Sequence, residues 1–432
     1  MGFCKEDVEK LSAALGEPGW VLERRLEAWG WFEKMELPGE KEEPWRYTNL
    51  AQLKFKLDAF TPELPGQVAV PGDAQKNLIQ REGDRDGYIV QRGADSVVAE
   101  IEPDLASKGV VLTDIHTAIA EHGDLVRRHL FTQTNPHQHI FSALHAALFC
   151  GGTYLYVPKG VTVALPIESQ RWIDKPGSAA FPHTLVLADE GAEVTYFERF
   201  RSEELGSPSL SSAGTEVFVG KAARVNTVTL QEQSHDVWHF QAQGAALQRD
   251  VSFGNLTVTL GGRFSRQEVS ATMMGPGADV SMLGLYFASA GQHFDFRTLQ
   301  DHASDHCTSD LLYKGALRDD AHTVYTGLIH VRPDGAETDA YQTNRNLVLS
   351  DHAKADSKPE LEIENNDVRC SHAASVGQMN EEEIFYLESR GIERSQAERL
   401  IVNGFFEAVV DRVKQKEIRE VLAGAIERKL AP

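Results

Sequence analysis

A mainly β protein, a solenoid core set between two helical regions, is what this sequence predicts, and three observations carry the expectation. After Gly151, short runs rich in Val, Thr, Leu, Tyr and Phe follow one another for more than 200 residues with no long helical pattern between them. A small turn element recurs through the same stretch. Helical periodicity is confined to the part before Gly151 and the part after Gln378.

The 432 residues, at a soft ~150 per domain, allow about three units. The texture divides them into an N-terminal helical and α/β region (1–145), a β core (146–376) and a C-terminal helical region (377–432). In the first region Trp20, Leu22, Leu26, Trp29 and Phe32 recur at helical spacing among Glu and Arg. The Pro- and Gly-containing stretch 61–73 reads as a connector. Short strands are expected at Gly87–Val90 and Ser96–Ile101. Two helices follow, at Asp114–Phe131 and Pro136–Phe149, the second with its proline at the first helical position.

In the core, strands are expected at Thr153–Val157, Thr184–Leu187, Val194–Phe197, Val225–Leu230, Val251–Phe253, Thr257–Leu260 and Thr323–Val331. The recurring element is a turn residue, an alanine, one or two polar residues and then a strand. It appears around Ala192, Ala223, Ala278, Ala321, Ala336 and Ala353, whose gaps are 31, 55, 43, 15 and 17 residues. The short gaps give a unit of 15–17 residues and 31 is two such units, whereas 55 and 43 fit only loosely. A unit this small cannot bury its apolar face alone and is expected to stack on its copies. Periodicity by itself leaves an all-β sandwich with similar turns as the alternative.

The last region opens with Asn380 as a helix N-cap, with Glu383 reaching back to it, and Gly391 as a stop. A second helix places Ala397, Leu400, Ile401, Gly404, Phe405, Ala408 and Val409 on one stripe, and a third carries Ile418, Val421, Leu422, Ala425 and Ile426. Helices this short need a surface to pack on. They can cap the solenoid, present a docking face, or do both.

Composition narrows the function. Acidic residues number 64 against 43 basic, a net charge of −21 with no block of Lys and Arg, which disfavours nucleic acid and anionic membranes. No apolar run reaches the ~18 residues of a membrane span, and the acidic start Met1–Glu6 leads into no signal-peptide core. Cys4, Cys150, Cys307 and Cys370 are scattered with no C-x-x-C, which fits a reducing cytoplasm and excludes a self-contained zinc knuckle. The chain holds no phosphate loop, nucleophile elbow or H-E-x-x-H, so nothing marks it as an ATPase or a dinucleotide enzyme.

Three groups contain metal-ligand residue types. His137, His139 and His145 are irregularly spaced and read as solvated or capping histidines. His302, His306 and Cys307 lie within six residues, but strand geometry sets 302 and 306 against 307, so a shared site needs a turn. In Asp367–His372 an extended chain puts Val368, Cys370 and His372 on one face. That thiol and imidazole can reach one iron atom, but two ligands are too few and the rest must come from elsewhere.

Beyond these readings, a family pattern is present. It runs through Asn346–Ser350, Ala355-Asp356, Lys358–Ile363, Asp367–His372, Phe385–Ile392 and Ile401–Phe406, and upstream through Glu43–Thr48, Tyr156–Val161, Cys307–Ser309 and Tyr313–Gly315. Together these resemble the SufB/SufD family, scaffold subunits of the Suf iron–sulfur cluster assembly system. Ala353 stands where the SufB branch carries cysteine and His372 where it carries glutamate, so the pattern is SufD-like; Ala373 departs from it, standing where glycine is usual.

The resemblance implies a right-handed parallel β-helix and a non-enzymatic role. It implies pairing with SufB, and a part in iron acquisition and nascent cluster formation at that interface. His372, with Cys370 beside it, is the expected iron or cluster ligand; His302 and Cys307 form a secondary pair. The SufC ATPase is expected on the C-terminal helices, with Phe385, Leu387, Leu400, Ile401, Phe405 and Phe406 as contact residues. Reduced flavin is implied only for the assembled complex, and a homodimer for the isolated chain. The alternatives are a SufB-like homodimeric scaffold and, in another class, a β-helix enzyme acting on carbohydrate or acyl substrates.

Overall fold

A computed structural model describes residues 2–66 and 84–431. The connector expected at 61–73 therefore falls partly outside the described residues; its start, Thr61–Pro62, is a two-residue strand paired with Ser178–Ala180. Between Gly152 and Gln378 the chain winds through about eight coils, each giving one strand to each of two sheets. Successive coils pair in parallel. In one sheet Leu210 pairs with Trp238 and Trp238 with Phe264. In the other, Val194, Val225, Phe253, Val280, Ser309, Ala340 and Cys370 form one column across seven strands. Antiparallel additions lie at the N-terminal end, where Gly87–Arg92 pairs with Asp95–Ile101 and Val111–Asp114 with Gly152–Val157.

The register explains the recurring turn. Arg224 pairs with Ser252, 28 residues on, Ser252 with Asp279, 27 on, and Asp279 with Thr308, 29 on. The 15–17-residue unit is thus half a coil, and 31 is a whole one. Ala192, Ala223, Val251, Ala278 and Cys307 occupy the same corner, each carbonyl accepting from the N–H of a residue one coil later. The gap of 55 is two coils with Val251 in the alanine place. The gap of 43 crosses to the opposite corner, where Ala321 and Ala353 stack. Just before these residues the backbone is left-handed at Gly191, Ala222, Asp250, Gly277 and His306. Such a conformation favours Gly, Asn and Asp, which is why the turn signal repeats without being identical.

Both faces of the sheets are covered over the coils before the last ones. The inner faces meet in a core that includes Ile89, Leu155, Val186, Val225, Phe253, Phe294 and Tyr325. Onto the outer face of the first sheet pack α1 (Lys5–Leu15), α2 (Gly19–Phe32) and α6 (Ile140–Leu148), around Trp238, Phe240 and Phe264. Among the described residues the helices between them are α3 (Pro103–Ser107), α4 (Ile115–Glu121) and α5 (Gly123–His129). On the outer face of the second sheet lie α8 (Arg394–Val410) and α9 (Lys416–Leu430), following α7 (Glu381–Ser389).

Several expected boundaries move. The helix read over Asp114–Phe131 breaks at His122 into α4 and α5. The second helix starts at Ile140, not Pro136, because Pro136 lies in a turn and His139 is the cap, its Nδ1 accepting from Ser142 N–H at 3.2 Å. The buried stripe of α2 is Val21, Arg25, Ala28, Trp29 and Phe32; Arg25 is admitted by its ion pair with Glu17 at 2.6 Å. Val251–Phe253 and Thr257–Leu260 merge into one strand, Ser252–Thr259. Strands such as Ile167–Ile173 and Phe264–Met273 escape a period-2 reading because both their faces are largely buried and both carry polar groups.

Candidate functional site

The solenoid ends without a cap. Its last coil consists of the strands Lys354–Ile363 and Val368–Gln378, each bonded on one side only among the described residues. Alternation and register tell which side chains face inward. His372 continues the column Tyr196, Thr227, Asn255, Met282, Leu311, Gln342, every earlier member of which is buried. It is exposed because no further coil covers it. Leu361, Ile363 and Val376, inward-facing by the same alternation, are exposed as well. The end of the molecule is therefore a cross-section of its own core, with unpaired backbone N–H and C=O groups along two edges.

Cys370 sits one column from His372, on the same face. It is half-buried and packs against Ile329, Val331 and Ala340. Burial, with the Asp339 charge adding to it, raises its thiol above the usual range. It therefore stays protonated at neutral pH, and a metal would have to displace that proton. His372 is the more accessible side chain of the two.

The side chains of the secondary pair are engaged within the coil. His302 is fully buried, and both its ring nitrogens are engaged, Nε2 with Ser309 Oγ at 2.8 Å and Nδ1 with Thr338 Oγ1 at 3.3 Å. Cys307 is a buried corner residue of the column that begins at Ala192; its thiol donates to Asp305 O at 3.3 Å. His306 occupies the left-handed turn position and pairs with Asp305 and Glu337. A turn does separate the two strands, but it serves the coil.

One set of histidines is organised differently from the solvated or capping reading. His145 is buried, with Nε2 3.0 Å from His183 Nδ1, and His183 Nε2 lies 3.1 Å from Glu216. Glu216 also accepts from the backbone N–H groups of Phe131 and Gln133, both at 2.6 Å. Burial, then the neighbouring His183, pushes the His145 pKa down to about 3. This chain ties the segment ahead of α6 to the sheet. Its members are separated by tens of residues, so no local spacing announces it.

On the C-terminal helices the expected contact residues divide. Phe385 is 72% exposed, and Leu400 is exposed too. Leu387, Ile401 and Phe405 are half-buried, with Lys314 Nζ 4.6 Å above the Phe405 ring and donating to its carbonyl oxygen. Phe406 is 1% exposed and belongs to the cluster of Phe197, Leu256, Val402 and Val409, so it is not on a free face. The buried stripe of α8 is Ala397, Val402, Phe406 and Val409. Asn380 caps α7 by accepting from Glu382 N–H at 2.9 Å, and Gly391, at φ 86°, ends it.

These features define a helix-flanked parallel β-solenoid whose open end presents a histidine and a cysteine from its interior. No described helix is long and apolar enough to cross a membrane. Residues 171–405 match the SufBD core domain of the SUF system for FeS cluster assembly, and residues 14–168 match the SufBD protein N-terminal region. The chain is 30% identical over 428 residues to the iron–sulfur cluster assembly protein SufD of Bacillus subtilis, covering 99% of this chain and 98% of the other. An iron–sulfur cluster assembly SufBD family protein of Mycobacterium leprae is 33% identical over 406 residues, 92% of each chain. The corresponding protein of Mycobacterium bovis is 34% identical over 409 residues, 92% of this chain and 90% of the other. The chain belongs to the SufBD family of the Suf iron–sulfur cluster assembly system.

Proposed function

We propose that this chain is a non-enzymatic scaffold subunit that pairs with SufB through its open coil, binds the SufC ATPase through α7 and the outer side of α8, and offers His372 to iron or a nascent cluster at the SufB interface. One observation carries the reading: His372 ends a buried interior column yet is exposed, beside Cys370, on a strand with a free edge. A second solenoid with a like end would bond to that edge and cover Leu361, Ile363 and Val376. Imidazole is a good iron ligand, and a site shared across an interface can be opened or closed by movement of the subunits. In the absence of the paralogue, the same end would pair with a second copy of this chain. Reduced flavin belongs in this reading to the assembled complex, and no residue of this chain is assigned to it.

The test is co-expression with SufB and SufC. The three should co-purify. The His372→Ala complex should assemble but carry less iron and acid-labile sulfide, and Cys370→Ser should lose less. A His372→Ala complex with the unmodified cluster content, or a chain that takes up neither partner, refutes the assignment.

A further inference from the structure

A second set of ligand-type side chains stands on the outer side of the terminal coils, just ahead of the turn that leads to Cys370. His330 is directly opposite Glu362 on one neighbouring strand and Asp301 on the other. Glu364 follows the end of the strand Lys354–Ile363. One ligand atom from each of His330, Glu362 and Glu364 lies within 4.8 Å of the others. His330 Nε2 is 2.9 Å from Glu364 Oε1, while Nδ1 is 3.4 Å from Asp301 Oδ1.

The two sides of this imidazole differ. The His330 side chain is 23% exposed, its Nε2 faces the accessible Glu364, and the accessible Glu362 completes the group. Asp301, on the Nδ1 side, is only 4% exposed and is fixed by Arg332 Nε and Nη2 at 2.9 and 2.6 Å and by Thr272 Oγ1 at 3.2 Å. Carboxylates behind the second ring nitrogen orient ligating histidines, and here Asp301 stands within ion-pair distance of Nδ1 without a hydrogen bond to it. Arg332 makes its hydrogen bonds to Asp301, and its charge is also felt by Glu364, whose Oε1 meets the outer nitrogen of His330. Two carboxylates and a neutral imidazole match a divalent cation in charge and in donor type.

We propose that His330, Glu362 and Glu364 form a divalent-metal site, with Asp301 as its positioning residue, and that its ion is Fe2+. The choice of Fe2+ rests on membership of an iron–sulfur assembly family; a donor set with no thiolate suits Fe2+, Mn2+ or Zn2+ and disfavours Cu+. Three protein ligands leave positions open to water, so the ion is held exchangeably. Any proton on Nε2 leaves when the metal binds.

The experiment is anaerobic equilibrium dialysis of the full chain against Fe2+, with Mn2+, Zn2+ and Mg2+ in parallel. One Fe2+ should be retained per chain. His330→Ala and Glu364→Gln should weaken it at least about tenfold. Asp301→Asn should weaken it by about 10- to 100-fold and shift the pH of half-binding, which a role in folding alone would not do. His372→Ala should leave this binding unchanged, so failure here is separable from failure of the interface site. Equal Fe2+ affinity in the unmodified chain and in His330→Ala and Glu364→Gln, loss in His372→Ala instead, retention of Mn2+ or Zn2+ but not Fe2+, or Mg2+ bound as tightly as Fe2+ would each overturn the proposal.

Discussion

His372 owes its chemistry to where the coils stop. In any earlier coil the same column position is filled by a buried side chain such as Met282 or Gln342; here the imidazole meets solvent. Replacing an exposed side chain should cost little, so His372→Ala is expected to change folding stability by less than about 0.5 kcal/mol while cluster content in the complex falls. Thermal denaturation beside iron and sulfide analysis checks both halves; a large stability loss would mark the residue as structural. The shared face of Cys370 and His372 was legible from their spacing of two. That the face belongs to the interior, and is exposed only by the absence of a next coil, was not legible, since it depends on register. The places of His302 and Cys307 were hidden for the same reason: the coil repeat sets one in a core column and the other at a core corner.

The C-terminal helices hold two apolar stripes that interleave in sequence, and packing decides which is which. Phe406 faces the sheet with Val402 and Val409, whereas Phe385 and Leu400 face outward. Phe406→Ala is expected to lower stability by about 3–5 kcal/mol, as for a large core residue cut to a small one. Phe385→Ala combined with Leu400→Ala should leave the melting temperature nearly unchanged and weaken SufC binding by at least about 2 kcal/mol, roughly thirtyfold. Calorimetric titration with SufC separates these, and an unaltered affinity in the double variant would remove α7 and α8 from the docking surface. Deleting 381–432 is the poorer test, because it would bare Val228, Leu230, Leu256 and Leu285 on the sheet. Helix existence could be read from the sequence; the inward stripe of α8 could not, because Ile401, Val402, Phe405 and Phe406 satisfy helical spacing on either assignment.

The interior of the molecule is unusually rich in histidines that resist protonation. Burial is the first cause in each: it brings His145 and His293 down to about 3, and His239 and His302 to about 4. Groups with depressed folded values stabilise the fold fully above their unfolded value, about 6.5. That contribution is lost as pH falls toward the folded values, because the unfolded chain takes up protons that the folded one refuses. Glu17 acts at lower pH. Burial alone would raise it, but the close His116 imidazole and the hydrogen bonds from Arg25 hold it at about 2, so its contribution fades from about pH 4.5 downward. The melting temperature should therefore decline already between pH 6.5 and 5; a flat profile there would contradict the buried neutral histidines.

The solenoid repeat itself was legible at half its true size, since each coil turns two corners of similar chemistry and only the strand register tells them apart. The repeat bears on assembly, because a stack of coils with an open end would be completed by another chain. Hydrogen exchange of the free chain and of its complex with SufB tests this directly. The strand Val368–Gln378 has the cleaner free edge, because the other terminal strand is interrupted by Pro359 and lined with Lys354, Lys358, Glu360 and Glu362. Amides of Val368–Gln378 that exchange freely in the isolated chain, kept dilute enough to be monomeric, should become protected in the complex. Unchanged exchange along that strand, in a complex shown to be intact, would contradict pairing through the open end.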